Sequence, residues 1–140
     1  MPMVPTEVSC LCGAVRVRVE GEPMAQFYCH CDDCQAVHGA AYIGVAVFPT
    51  SAVAVASGEP TLYTYKTLPR ARCGKCGTMM FAHVPAANMA GVKGNLLPAG
   101  TFQPTFHIHC RYAVMPVIDD LPHYRSLPKI FGGGDELVGW

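Results

Sequence analysis

Charge is the first thing this chain has little of. Only 14% of its 140 residues are Asp, Glu, Lys or Arg, and ten basic residues balance ten acidic ones. There is no basic run and no stripe of aromatic and basic residues, so nothing favours nucleic-acid steering. A net charge of zero gives little repulsion between copies, which leaves homo-oligomers open. Long apolar runs are also missing. The longest, Ala40 to Phe48, is interrupted by Gly44 and falls far short of the roughly 18 residues that a membrane helix needs. The opening Met-Pro-Met-Val-Pro has neither a charged n-region nor an apolar h-region, so the expectation is a cytoplasmic, reducing location. No repeat of solenoid period and no linker composition is present, which predicts a single domain over residues 1–140.

Apolar residues make up 51% of the chain, enough to exclude disorder and to bury a core without disulfides. Their pattern is that of strands. Ala14 to Val19 alternates apolar and charged residues, Ala40 to Phe48 and Ala52 to Ala56 are rich in valine, and Thr61 to Tyr65 alternates again after the turn at Ser57-Gly-Glu-Pro60. Thr78 to Val84 and Pro104 to His109 continue the series. Helix is scarce. One short helix is predicted from Asp32 or Asp33 to Gly39, with an aspartate as its N-cap and the glycine as its stop. The fold class expected is therefore mainly β with little helix. The tail from Phe131 through the three glycines is expected to be flexible or to pack terminally.

Cysteine is present in excess. Seven of the eight cysteines fall in three clusters: Cys10-Leu-Cys12-Gly13, Cys29-His-Cys31-Asp-Asp-Cys34, and Cys73-Gly-Lys-Cys76-Gly77. In a reducing compartment such clusters point to metal ligands or catalytic groups before disulfides. Cys10 and Cys12 are two apart, so on a strand they share one face. Gly74 and Gly77 permit a tight turn around Cys73 and Cys76. Together the four thiolates suit tetrahedral zinc at about 2.3 Å, in a closed, structural shell. Two redox-active or disulfide pairs are the alternative.

Cys29, Cys31 and Cys34 supply three ligands and leave a fourth position, as catalytic zinc sites do. Water, an inward-turned His30 or a substrate thiol would complete it. A closed structural site finished by a histidine, or a redox trio, remain open at this point. Whichever holds, a thiol at a helix start is expected to have a lowered pKa.

The three clusters in this order make the chain resemble the glutathione-dependent formaldehyde-activating enzyme family, also called centromere-protein-V-like. The matching segments are Ser9 to Val15, Tyr28 to Gln35 with Gly39, Arg72 to Gly77, Phe106-His-Ile108 and Asp119-Asp-Leu-Pro122, a core of about Glu7 to Pro128. The resemblance implies antiparallel β-sheets wrapped around zinc and two zinc ions per chain. It implies a structural ion on Cys10, Cys12, Cys73 and Cys76, and a second, catalytic ion on Cys29, Cys31 and Cys34. It implies a carbon–sulfur lyase resembling S-(hydroxymethyl)glutathione synthase, whose partners are a small-molecule thiol such as glutathione and a small aldehyde such as formaldehyde. A thiol carrier without turnover, or a purely structural domain, are the rival readings. Many relatives carry a Ser-Lys pair and a tryptophan after the Phe-His-Ile segment. Here His109-Cys110-Arg111 stands there, and the single tryptophan is Trp140.

Of the remaining residues, His107 and His109 are two apart on a predicted strand and are expected to share a face. They read as an ordinary sheet pair, with a proton shuttle or a fourth ligand as the sharper alternative. Cys110 is expected to be a buried free thiol. Arg70, Arg72 and Arg111 are expected mostly on the surface, with carboxylate binding as the alternative.

Overall fold

A computed structural model gives the fold and describes residues 5–66 and 68–140, so the leader reading of the first residues falls largely outside it. Among the described residues ten strands and one α-helix follow one another: β1 (Thr6–Ser9), β2 (Arg16–Val19), β3 (Ala25–Cys29), α1 (Asp32–His38), β4 (Ile43–Pro49), β5 (Val53–Ser57), β6 (Thr61–Tyr65), β7 (Leu68–Arg72), β8 (Met79–Val84), β9 (Met89–Lys93) and β10 (Phe106–Ile108). The protein is mainly β, as its alternation predicts. No helix among the described residues is long and apolar enough to cross a membrane.

The chain forms two compact units, and β4 runs through both. The first comprises the residues up to Ala25 together with Ala46–Phe102. In it β2 pairs antiparallel with β1 on one side and β5 on the other. A second set of strands, β6 to β9, forms an antiparallel meander. The alternation in β2 does what it predicts: Val17 and Val19 are fully buried while Arg16 and Arg18 face water. Ala46, Phe48, Met80, Ala90 and Val92 join them in one core. Each valine so buried contributes on the order of 1.5 kcal/mol.

The second unit is Gln26–Val45 with Gln103–Trp140. Its backbone departs from an all-antiparallel expectation, because β10 runs parallel to β3, with Phe106 opposite Phe27, His107 opposite Tyr28 and Ile108 opposite Cys29. Helix α1 matches its predicted limits, and Gly39 closes it in the left-handed conformation at φ 60°. The N-cap is Cys31, however, whose sulfur accepts from the Cys34 amide, and Asp32 follows within the first turn, its Oδ1 accepting the Asp33 amide at 3.0 Å. Phe27, Phe106 and Phe131 pack together at ring separations of 5.3–6.1 Å. The tail is thereby held by packing, and the Val138 amide bonds to the His123 carbonyl at 2.9 Å.

Candidate metal centre

Two hairpin tips build the first cluster. Cys10 to Gly13 lies in the turn between β1 and β2, and Cys73 to Gly77 in the turn between β7 and β8. Cys10 and Cys12 therefore come together through a turn and not through the face of a strand, the Gly13 amide bonding back to the Cys10 carbonyl at 3.1 Å. A register shift between Ala71 and Arg72 marks the end of β7, a place where a bulge re-aims the chain. Gly77 sits at φ +80°, a conformation L-residues rarely adopt, and its amide bonds to the Cys73 carbonyl at 2.9 Å. At Gly74 a Cβ would stand 2.7 Å from Thr61 Oγ1, so a larger residue there would have to turn that exposed hydroxyl aside.

The sulfurs of Cys10, Cys12, Cys73 and Cys76 all lie within 4.8 Å of one another. Cys12 Sγ is 3.7 Å from the sulfurs of both Cys10 and Cys73. Four sulfurs held at about 2.3 Å by a tetrahedral ion would stand about 3.8 Å apart, so the cluster fits zinc closely. Donors are aimed at the sulfurs: the Val15 amide to Cys10 at 3.2 Å, the Lys75 and Cys76 amides to Cys73 at 3.4 and 3.5 Å, and Thr78 Oγ1 3.2 Å from Cys76. The Thr78 hydroxyl, helped by its amide and the Cys12 amide, pulls the Cys76 pKa down to about 5. Cys10 is lowered too, whereas at Cys12 the Ala14 amide favours the anion but burial and the neighbouring sulfurs outweigh it and raise the thiol to about 11, so part of the cluster is held ready as thiolate for a cation.

The second cluster is Cys29, Cys31 and Cys34, at the junction of β3 and α1, its sulfurs again within 4.8 Å of one another. Cys34 and Cys29 sulfurs are 3.6 Å apart, and the Cys34 amide points at Cys31 Sγ at 3.4 Å. Here the lowered pKa expected at a helix start does not appear. Hydrogen bonding from Cys31 and Cys34, then burial, raises the Cys29 thiol well above its ordinary value. Cys31 is raised too: its bond with Cys29 favours the anion, but Cys34 and burial outweigh it. Three thiolates so close suppress one another's ionisation, and a divalent cation reverses that order. The donor set and spacing fit a thiophilic ion with three protein ligands.

His30, weighed above as a fourth ligand, is turned away. Its Nε2 lies 2.9 Å from His107 Nδ1, and the residue is 1% exposed. Burial, then the nearby His107 and His123, lowers its pKa to about 4. Gln35 holds this segment by donating at 2.8 Å to the carbonyls of both His30 and Tyr112.

His107 and His109 do not share a strand face. β10 ends at Ile108, and His109 adopts a left-handed φ of 55° to start a 3-10 turn, which separates the two side chains. His107, fully buried, contacts Asp119 and His30; His109 interacts electrostatically with Cys31. Cys110 is buried as expected, and desolvation, then the Asp119 charge, pushes its thiol up to about 12. Arg70, expected at the surface, is 3% exposed and reaches the Tyr65 carbonyl at 3.5 Å.

Asp119 enters the sequence reading only within a segment of the resemblance and His123 not at all, yet with His107 they form a third group of possible ligands. The Asp119-x-x-x-His123 spacing marks only two of the three, and nothing in the sequence ties them to His107.

Fold and donor geometry together define a class: a mainly β protein with cysteine clusters able to hold tetrahedral, thiophilic cations. A family model described as "Glutathione-dependent formaldehyde-activating enzyme" matches residues 5–112, a span that contains all seven clustered cysteines. The chain belongs to that family. The crystal structure of a Rhodobacter sphaeroides protein is similar in fold, with a TM-score of 0.57 and 23% identity over 67% of this chain and 89% of the other. No curated protein matches.

Proposed function

We propose that the protein is a zinc-dependent carbon–sulfur lyase of the formaldehyde-activating type, adding a thiol such as glutathione to formaldehyde or another small electrophile. In this reading Cys10, Cys12, Cys73 and Cys76 hold a structural zinc, and Cys29, Cys31 and Cys34 hold a second, catalytic one. The observation that carries it is the three-sulfur cluster with His30 turned away, since such a site keeps one coordination position for an incoming ligand. Zinc bound there supplies a Lewis acid that keeps an incoming thiol ionised at neutral pH.

The bond that forms is S–C. The carbonyl π pair passes to oxygen, and the proton leaving sulfur ends on that oxygen. His109 is the group proposed to carry it. Burial, the largest influence, lowers its pKa, so the imidazole is neutral near pH 7 and free to accept a proton. Its left-handed backbone costs on the order of 1 kcal/mol and is held by the His109 amide on the Ser126 carbonyl at 2.8 Å. A reducing, cytoplasmic setting suits eight free cysteines and belongs to the proposal.

The test follows adduct formation from formaldehyde and glutathione by NMR, with zinc quantified in the same samples. Wild-type protein is expected to exceed the spontaneous rate, and Cys31→Ser to return to it. A wild-type rate equal to the spontaneous one removes the lyase reading for this substrate pair. Glutathione binding without turnover would then identify a carrier.

A further inference from the structure

We infer that His107, Asp119 and His123 form a metal site for a divalent transition cation such as zinc, separate from both sulfur clusters. His107 Nε2 lies 2.7 Å from Asp119 Oδ2, His123 Nε2 lies 2.8 Å from Asp119 Oδ1, and the ligand atoms are all within 4.8 Å of one another. Two imidazoles and one carboxylate are a ligand set that zinc and its first-row neighbours take.

The backbone places these groups without help from an ion. The His107 amide bonds to the Pro122 carbonyl and the Tyr124 amide to the His107 carbonyl, both at 2.9 Å, which pins His123 beside His107. The Leu121 amide fixes the carboxylate through Asp119 Oδ1 at 3.0 Å. Trp140 packs over the pair, its ring centroid 4.9 Å from that of His123. Both histidines are at least nine-tenths buried, while the Asp119 side chain is 30% exposed. Solvent therefore reaches the site past the carboxylate, where a fourth ligand would enter.

Hydrogen bonding alone leaves this cluster incomplete. His123 Nε2 is buried and makes no hydrogen bond, although the Asp119 oxygen is close; the ring nitrogen does not point at it. An ion bound by all three groups at about 2.0–2.2 Å would separate their atoms by about 3.4 Å. That requires the carboxylate to withdraw by about 0.6–0.7 Å, and it gives His123 Nε2 the partner it lacks. With Nε2 of His107 on the ion, its Nδ1 must carry the proton and donate to His30 Nε2. His30 would then orient a metal-bound histidine, an arrangement that commonly fixes the tautomer.

Cobalt(II) titration of the full chain separates this site from the sulfur clusters. Cobalt on cysteine gives strong near-ultraviolet sulfur-to-metal absorption, whereas cobalt on nitrogen and oxygen adds weak visible bands alone. Wild-type protein is expected to take one equivalent more than His123→Gln, and that equivalent should add no sulfur band. The difference of one persists whether or not the Cys29 cluster fills, so failure of the proposed lyase activity and failure of this site are read separately. Should His123→Gln not fold, Asp119→Asn carries the same expectation. Equal uptake by wild type and a folded variant overturns the site and leaves a hydrogen-bonded relay in its place.

Discussion

The two sulfur clusters are built by opposite means. The four-sulfur cluster sits on hairpin tips whose amides and the Thr78 hydroxyl point at its sulfurs, and Cys76 is drawn down to about 5. In the three-sulfur cluster the thiols mainly face one another, and Cys29 is driven up. The fold thus favours the anion at Cys76 and Cys10 while burial and the neighbouring thiols hold Cys12 up at about 11, whereas in the second cluster Cys29 and Cys31 are both raised. The difference suits the proposed division, in which one ion serves folding and the other exchanges.

The comparison breaks most visibly at Cys76→Ser. Zinc binding to small structural sites is worth about 10–16 kcal/mol, as much as the whole stability of a typical domain, about 5–15 kcal/mol. Cys76→Ser is therefore expected to yield protein without a cooperative melting transition by circular dichroism. Cys31→Ser should stay folded, with its Tm within about 4 °C of wild type. An equal loss in both variants would erase the division of roles. A milder probe is chelator challenge of the zinc-loaded protein, followed with a metal-sensitive dye. Zinc from the triad should leave in a fast phase and zinc from the four-sulfur cluster in a slow one. A single phase for both would show that the extra donors at Cys10, Cys73 and Cys76 do not hold their ion more firmly.

Much of this was legible in the chain. The cysteine spacings named both sulfur clusters because each is made from short local segments, and the alternation in β2 marked a strand whose two faces meet different surroundings, while β6 is a strand as its alternation predicts but is exposed on both faces except at the half-buried Tyr63. What escaped has physical causes. β7 reads Leu-Pro-Arg-Ala-Arg, and Pro69 together with two arginines hides a strand that nonetheless pairs on both sides. β1 is short and mostly polar, and β3 reads Ala-Gln-Phe-Tyr-Cys with apolar residues side by side, so neither shows a clean period. The His107, Asp119 and His123 group could not be read because tertiary pairing, not spacing, brings residue 107 to residue 123. The left-handed turn at His109 likewise has no sequence marker, since glycine or asparagine ordinarily signals that conformation.

A smaller effect tests how far the knuckle geometry matters. Gly77→Ala forces a Cβ into φ +80° without touching any neighbouring atom. The strain is about 1–2 kcal/mol, which should lower Tm by about 3–6 °C while leaving zinc content unchanged. Loss of zinc with this substitution would mean that the turn sets the ligand geometry and not merely its stability.

Cys110 sharpens the comparison from outside, because it is a cysteine in neither cluster. It is 4% exposed, and burial holds its pKa near 12. An ordinary cysteine with a pKa of about 8.5 is roughly a quarter thiolate at pH 8, and one at about 12 is roughly a ten-thousandth. Since the thiolate is the reacting form, alkylation of Cys110 in the native protein should run more than about 1000-fold slower than that of a free thiol. Peptide mass spectrometry after timed iodoacetamide exposure reads each cysteine separately. When chelator has emptied the triad, label should appear at Cys31, which is half-buried, before Cys29 and Cys34, and Cys110 should remain unmodified while the chain stays folded. Label at Cys110 as early as at Cys31 would mean that emptying the triad opens the second unit itself. Its ion would then serve folding as well, and the contrast between the two clusters would fail.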